Sequence, residues 1–236
     1  MRLLCGILLH AAAPVILFGA AGIQLSQEDR LRRLLQEDGL VEWAEVLMLF
    51  AAAGFAVVAA RRRRVPRLKR PARRLLILGA LFFGLVALEE ISWGQRLFGF
   101  ATPSGMAERN VQGEFTLHNL EFVHRFRHMP FVLWGVGGLV LVAQRSQIAA
   151  RSPGLMPLLP TRGWVPVLVL VAAVGATIEY GFLVYGQESA VDIDLRRHRL
   201  MTEFAELAVA MVAFAWAGRA MDHGRAGVPE AAGGLE

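Results

Sequence analysis

The 236-residue chain has a single cysteine, Cys5. One thiol cannot close an intramolecular disulfide and cannot build a cysteine-based zinc centre. Charge is scarce too: 19% of residues are charged, against about 25% in average soluble domains. The five aspartates all lie outside the long apolar runs. No P-loop, GxGxxG, HExxH or GxSxG string occurs, so the sequence carries no such nucleotide, zinc-protease or serine-hydrolase signature.

What the chain has instead is apolar length. Its residues are 55% hydrophobic, and its mean hydropathy is +0.45. The apolar residues sit in runs of roughly 15–20, the length that crosses a ~30 Å hydrocarbon core. Six runs fall at residues 3–23, 41–60, 75–97, a stretch ending near 143, 164–186 and 201–217. They leave no room for a sizeable soluble domain. This composition excludes a soluble enzyme, a secreted disulfide scaffold and a disordered regulator. It predicts an all-α polytopic membrane helix bundle of about six transmembrane helices, one domain over residues 1–221. A cleaved signal peptide is the rival reading of the first run. Residues 222–236, rich in Gly, Ala and Pro, are expected to be a disordered cytoplasmic tail.

A pI near 10.5 invites a nucleic-acid reading. The placement of the cations argues for membrane lipids as partners and against nucleic acid. Residues 61–74 hold nine Lys and Arg and no acid, and residues 144–163 hold three Arg and no acid. With six spans both segments share one side, so the positive-inside rule puts both termini in the cytoplasm. On the other side, residues 26–40 read as an amphipathic surface helix, with Ser26 and Asp29 as a capping box and Gly39 as its end. An internal repeat is suggested by Glu42-Trp43-Ala44-Glu45, Glu121-Phe122-Val123-His124 and Glu203-Phe204-Ala205-Glu206, spaced 79 and 82 residues apart. It predicts three repeated hairpins and starts the fourth span at Glu121, because residues 129–143 alone extend only about 22 Å.

Depth singles out the candidate site. Glu89 and Glu179 each lie about 21–22 Å along a helix from the arginine side. Glu42, Glu45, Glu203 and Glu206 enter from the opposite side, so all fall in the outer third with Glu90. Carboxylates facing lipid at that depth cost several kcal/mol, so they face the bundle interior, water or the interface. Adjacent Glu89 and Glu90 repel unless a proton or cation compensates. They are candidate catalytic acid/base groups, with His118 from the long outer loop, residues 99–120, as a second base. That loop reads as a re-entrant lid or an ordinary polar connection. On a continued helix Glu89, Ser92 and Trp93 share one face. Ser92, Trp93, Gln95, Asn119, Arg125 and Glu179 are candidate substrate-binding residues. Glu121, His124 and His128 recur at helical spacing, which offers His124 and His128 as ligands of a divalent metal; a salt-bridged Arg/His/Glu network is the alternative. Gly135, Gly137 and Gly138 read as close helix contacts.

The string Glu89-Glu90-Ile91-Ser92-Trp93-Gly94-Gln95-Arg96, with Gln112-Gly113-Glu114 and Leu117-His118-Asn119-Leu120, resembles a family of uncharacterised bacterial multi-pass membrane proteins. The resemblance covers residues 88–120, implies a bacterial inner-membrane location and brings no activity. A fainter likeness to alkaline-ceramidase-like membrane hydrolases rests on Ser92 with His124 and His128; the chain departs from it in having no Asp within a span and one span too few. The resulting expectation is an outward-facing intramembrane Glu/His/Arg pocket in an enzyme acting on a lipid or lipid-linked substrate. A proton- or cation-coupled transporter and a non-catalytic assembly factor are the alternatives.

Overall fold

In the computed structural model the described residues are 6, 7, 11, 12, 15, 39–61, 69–126, 128–189 and 194–223, of which 96, 181–189, 194–201, 222 and 223 are described by their backbone alone. Most of the first predicted span, the surface helix at 26–40 and the tail lie outside them.

Six helices organise this part of the chain: α1 Leu40–Arg61, α2 Arg70–Glu90, α3 Met129–Ala143, α4 Arg145–Arg151, α5 Val165–Ser189 and α6 Asp194–His223. No strand forms among the described residues; Asn110 and Leu120 make an isolated antiparallel bridge. Four stretches are long and apolar enough to cross a membrane: Leu40–Arg61, Arg70–Glu90, Pro153–Tyr180 and Thr202–Met221. The α3–α4 pair makes a fifth if its 66° bend lies within one span.

Helices α1, α2 and α6 form one packed group, and α3 packs on α5. Small residues allow the first group its close approach. Ala52, Ala56 and Ala59 of α1 meet Ala72, Ala80 and Ala87 of α2 and Ala213, Ala217 and Ala220 of α6 in one buried cluster. Glycine does the same between α3 and α5. A Cβ on Gly135 would lie 2.5 Å from the Leu168 carbonyl, and one on Gly175 would lie 3.0 Å from the His128 carbonyl. The outer face of α2 exposes Leu75, Leu78, Leu81, Phe82 and Leu85, a continuous apolar surface suited to an apolar solvent.

Three expectations are corrected. The third span does not run to residue 97. It ends at Glu90, because Ser92, Trp93 and Gly94 follow with φ of 49°, 55° and 79°. Three left-handed residues in succession cannot continue a right-handed helix. The fourth span is not one helix from Glu121. A single turn, Glu121–His124, is followed by a break and then by α3. Pro130 in the first turn of α3 supplies the reason, since its ring lacks an N–H and crowds the carbonyl four residues back. Gly137 is not a helix contact: a Cβ there would meet nothing within 4 Å.

Candidate functional site

The break after Glu90 begins a dense polar structure among the described residues. Residues 91–120 fold back on the end of α2 as a cap. Glu89 is its anchor. One carboxylate oxygen accepts from Trp93 Nε1 at 2.5 Å. The other accepts from the Leu117 and His118 N–H groups at 2.7 and 3.1 Å, and His118 Nδ1 lies 3.2 Å from it. Ser92, swung off the helical face by its positive φ, donates to Glu114 at 2.8 Å. Gln95 donates to Thr102 Oγ1 at 2.7 Å and accepts from the Phe115 N–H at 2.7 Å. The expected shared helical face of Glu89, Ser92 and Trp93 is therefore absent, although Trp93 still reaches Glu89 through its left-handed turn.

Asn110 organises the far side of the cap. Its amide donates to the Thr116 carbonyl at 2.9 Å, and its side-chain oxygen accepts from the Gln112 and Glu114 N–H groups at 3.0 and 3.2 Å. Asn119 donates its amide to Gln112 and its carbonyl accepts from the Val111 N–H. Buried polar groups require such partners, and hydrogen bonds to an ionised group are worth about 1.5–3 kcal/mol each. Sequence reasoning did not select Asn110, Glu114 or Thr116. The available signal was the short Asn-x-x-Gly stretch at 110–113, which favours a side chain bonding its own backbone two residues on. The loop is neither an open connection nor a bare lid. It is a knot whose polar groups satisfy one another.

Glu90 points into a different environment. The charges acting on it are those of Glu42, Glu203 and Glu89. Those acting on Glu45 are Glu90, Glu206, Glu203 and Glu42. Helices α1, α2 and α6 thus bring six glutamates to one end of the bundle, with Glu45 only 4% exposed. The sequence groups Glu45 with the other glutamates at this end but does not choose it for the site.

His128 and Glu179 form a third assembly in the α3–α5 seam. His128 Nδ1 lies 3.5 Å from Glu179 Oε2, and both residues are buried. His128 also stacks on Phe131, with ring centroids 6.5 Å apart. His124 belongs to the separate turn before the break, so the two histidines do not share a continuous helix. Arg125 is exposed, with its guanidinium 5.8 Å from the Phe126 ring centroid. Arg127 lies outside the described residues. The predicted site residues therefore divide among three assemblies, with His124 and Arg125 in the separate turn outside them. Among the described residues, no three His, Cys, Asp or Glu side chains come together in an arrangement that could hold a metal ion. His128 and Glu179 supply two donors, which is short of a structural or catalytic set.

These features define a class: a protein helical throughout its regular structure among the described residues, with several apolar helices of membrane-spanning length. No family model, curated protein or solved structure matches the chain.

Proposed function

We propose that the protein is a multi-pass enzyme of the bacterial inner membrane that acts on a lipid or lipid-linked substrate, with Glu90 and Glu45 as its acid/base pair. The observation that carries this reading is the convergence of glutamates from three helices on buried Glu45. Carboxylates so placed in a low-dielectric site cannot all remain ionised without a proton or cation between them. A group that holds a proton next to one that lacks it is the arrangement general acid/base chemistry uses.

The cap supports a lipid substrate. Leu97, Phe98, Phe100, Leu117, Phe122 and Phe126 are exposed around its polar knot. An apolar rim with a polar interior suits the membrane–water interface. Arg125 on this rim is suited to meet a phosphate headgroup. In this reading Glu89 and His118 position the cap and are not the reacting groups. In this reading the arginine end faces the cytoplasm and the glutamate end faces outside, by the positive-inside rule.

Transport through the bundle has less support. Residues 46–60, 75–88 and 207–218 continue from the glutamates toward the arginine end without an ionisable side chain. The test is lipid mass spectrometry on full-length protein in nanodiscs of bacterial polar lipid extract. The wild type should change the amount of one lipid species with time; Glu90→Gln and Glu45→Gln should not, while keeping the fold. Unchanged lipids together with proton or cation flux in liposomes would select the transporter instead.

A further inference from the structure

The opposite half of the molecule carries a site unrelated to the glutamates. A cavity of about 330 Å³ opens between α2, α3, α5 and α6. Leu133, Gly137 and Leu141 of α3 form one wall, and Phe83 of α2 stands across from it. Val212 and Trp216 of α6 contribute to the lining. From Leu133 to Leu141 the wall extends about 12 Å, close to half of a ~30 Å hydrocarbon core, so it matches one leaflet.

The end of this groove is cationic. Pro160 and Trp164 line it there. Arg145 donates to the Leu159 and Pro160 carbonyls, the latter at 3.1 Å. The Arg219 guanidinium lies 5.9 Å from the Trp164 ring centroid, and Arg162, two residues before Trp164, is exposed. The two indoles near this end differ. Trp216 Nε1 donates to the Leu158 carbonyl at 2.9 Å. Trp164 Nε1 is buried and has no acceptor among the described residues. A buried N–H calls for an acceptor.

We propose that this groove holds one acyl chain of an anionic phospholipid from the leaflet at the arginine end. The phosphate sits among Arg145, Arg162 and Arg219, and an ester carbonyl accepts from Trp164 Nε1. Apolar length, cationic mouth and an indole donor between them match the order of parts in such a lipid. Gly137 is the point of control. It lines the groove, and an added Cβ meets nothing within 4 Å, so a side chain there starts in open space and extends into the groove.

The experiment uses tryptophan quenching, because Trp134, Trp164 and Trp216 all line the groove. The full chain is reconstituted in phosphatidylcholine vesicles, and phosphatidylglycerol with mid-chain bromines is titrated in. Brominated phosphatidylcholine, titrated separately, measures the ordinary lipid annulus. Quenching by the anionic lipid should saturate at a several-fold lower mole fraction than quenching by phosphatidylcholine. Gly137→Leu should remove that early component. Arg162→Ala should weaken the anionic preference by about fivefold, the effect of one basic residue near a membrane surface. Gly54→Leu, on α1 and away from the groove, should behave as wild type. Equal quenching by the two lipids overturns the proposal. So does a Gly137→Leu protein that melts normally and still shows the early component, which would put the anionic-lipid site outside this groove.

Discussion

Glu89 and Glu90 are neighbours in sequence and sit at the same helix end, yet their surroundings differ in kind. Glu89 is met by donors: an indole N–H, two backbone N–H groups and the His118 ring. Glu90 is met by the charges of Glu42, Glu203 and Glu89. The first carboxylate stabilises a loop, and its energy is realised in the folded state. The second adds no comparable stabilisation. Groups kept in a protein at the expense of stability are where function is to be sought, whereas a fully satisfied network specifies structure. The cap therefore belongs to architecture and the glutamate cluster to chemistry, although the motif joins them without a gap.

Substitutions can break this contrast. The largest effect is expected from Glu89→Gln, which turns an acceptor-only group into one that presents an NH₂ to existing donors. A loss of about 3 kcal/mol follows from hydrogen bonds to a charged group at 1.5–3 kcal/mol each, read as a lowered midpoint of thermal unfolding in detergent. Gly94→Ala comes next. Gly94 has a φ of 79°, and a Cβ there would lie 2.9 Å from the Phe98 ring. About 2 kcal/mol is expected from the left-handed conformation and the crowding, and limited proteolysis of the 95–120 segment should accelerate.

Smaller effects sharpen the same comparison. Ser92→Ala deletes one hydrogen bond, to Glu114, and should cost about 1 kcal/mol in the same melting assay. Glu45→Gln should have the smallest effect, within about 1 kcal/mol of wild type, because removing one carboxylate from a like-charged group relieves repulsion as it deletes contacts. A large destabilisation by Glu45→Gln would move the cluster into the structural class. Loss of lipid turnover with an unchanged melt would keep it in the functional one.

Much of the helical frame was readable from apolar periodicity. Residues 41–60 became Leu40–Arg61, 164–186 became Val165–Ser189, and 201–217 falls within Asp194–His223. The failures have physical causes. Ser92 and Trp93 adopt positive φ although neither is glycine, so no residue type before Gly94 announces the stop. Pro130 carries the signal for the break before α3, and the repeat spacing that starts the span at Glu121 takes no account of it. Within the site, residue type gave the clustering and not the direction. A helical wheel assigns Ser92 to the face of Glu89, while the left-handed turn sends it to Glu114. Depth placed Glu45, Glu90, Glu203 and Glu206 correctly at one end. It grouped His128 with Glu179, which are neighbours, but could not show that this pair would lie apart from Glu89.

Amide hydrogen exchange at Leu117 and His118 tests the division of labour most directly, because both N–H groups donate to Glu89 and neither donates to Glu90. The measurement compares wild type, Glu89→Gln and Glu90→Gln in the same detergent. Protection at these two amides should fall sharply in Glu89→Gln and match wild type in Glu90→Gln. Equal loss in both variants, or loss in Glu90→Gln alone, would contradict the assignment of Glu89 to the cap and Glu90 to the chemistry.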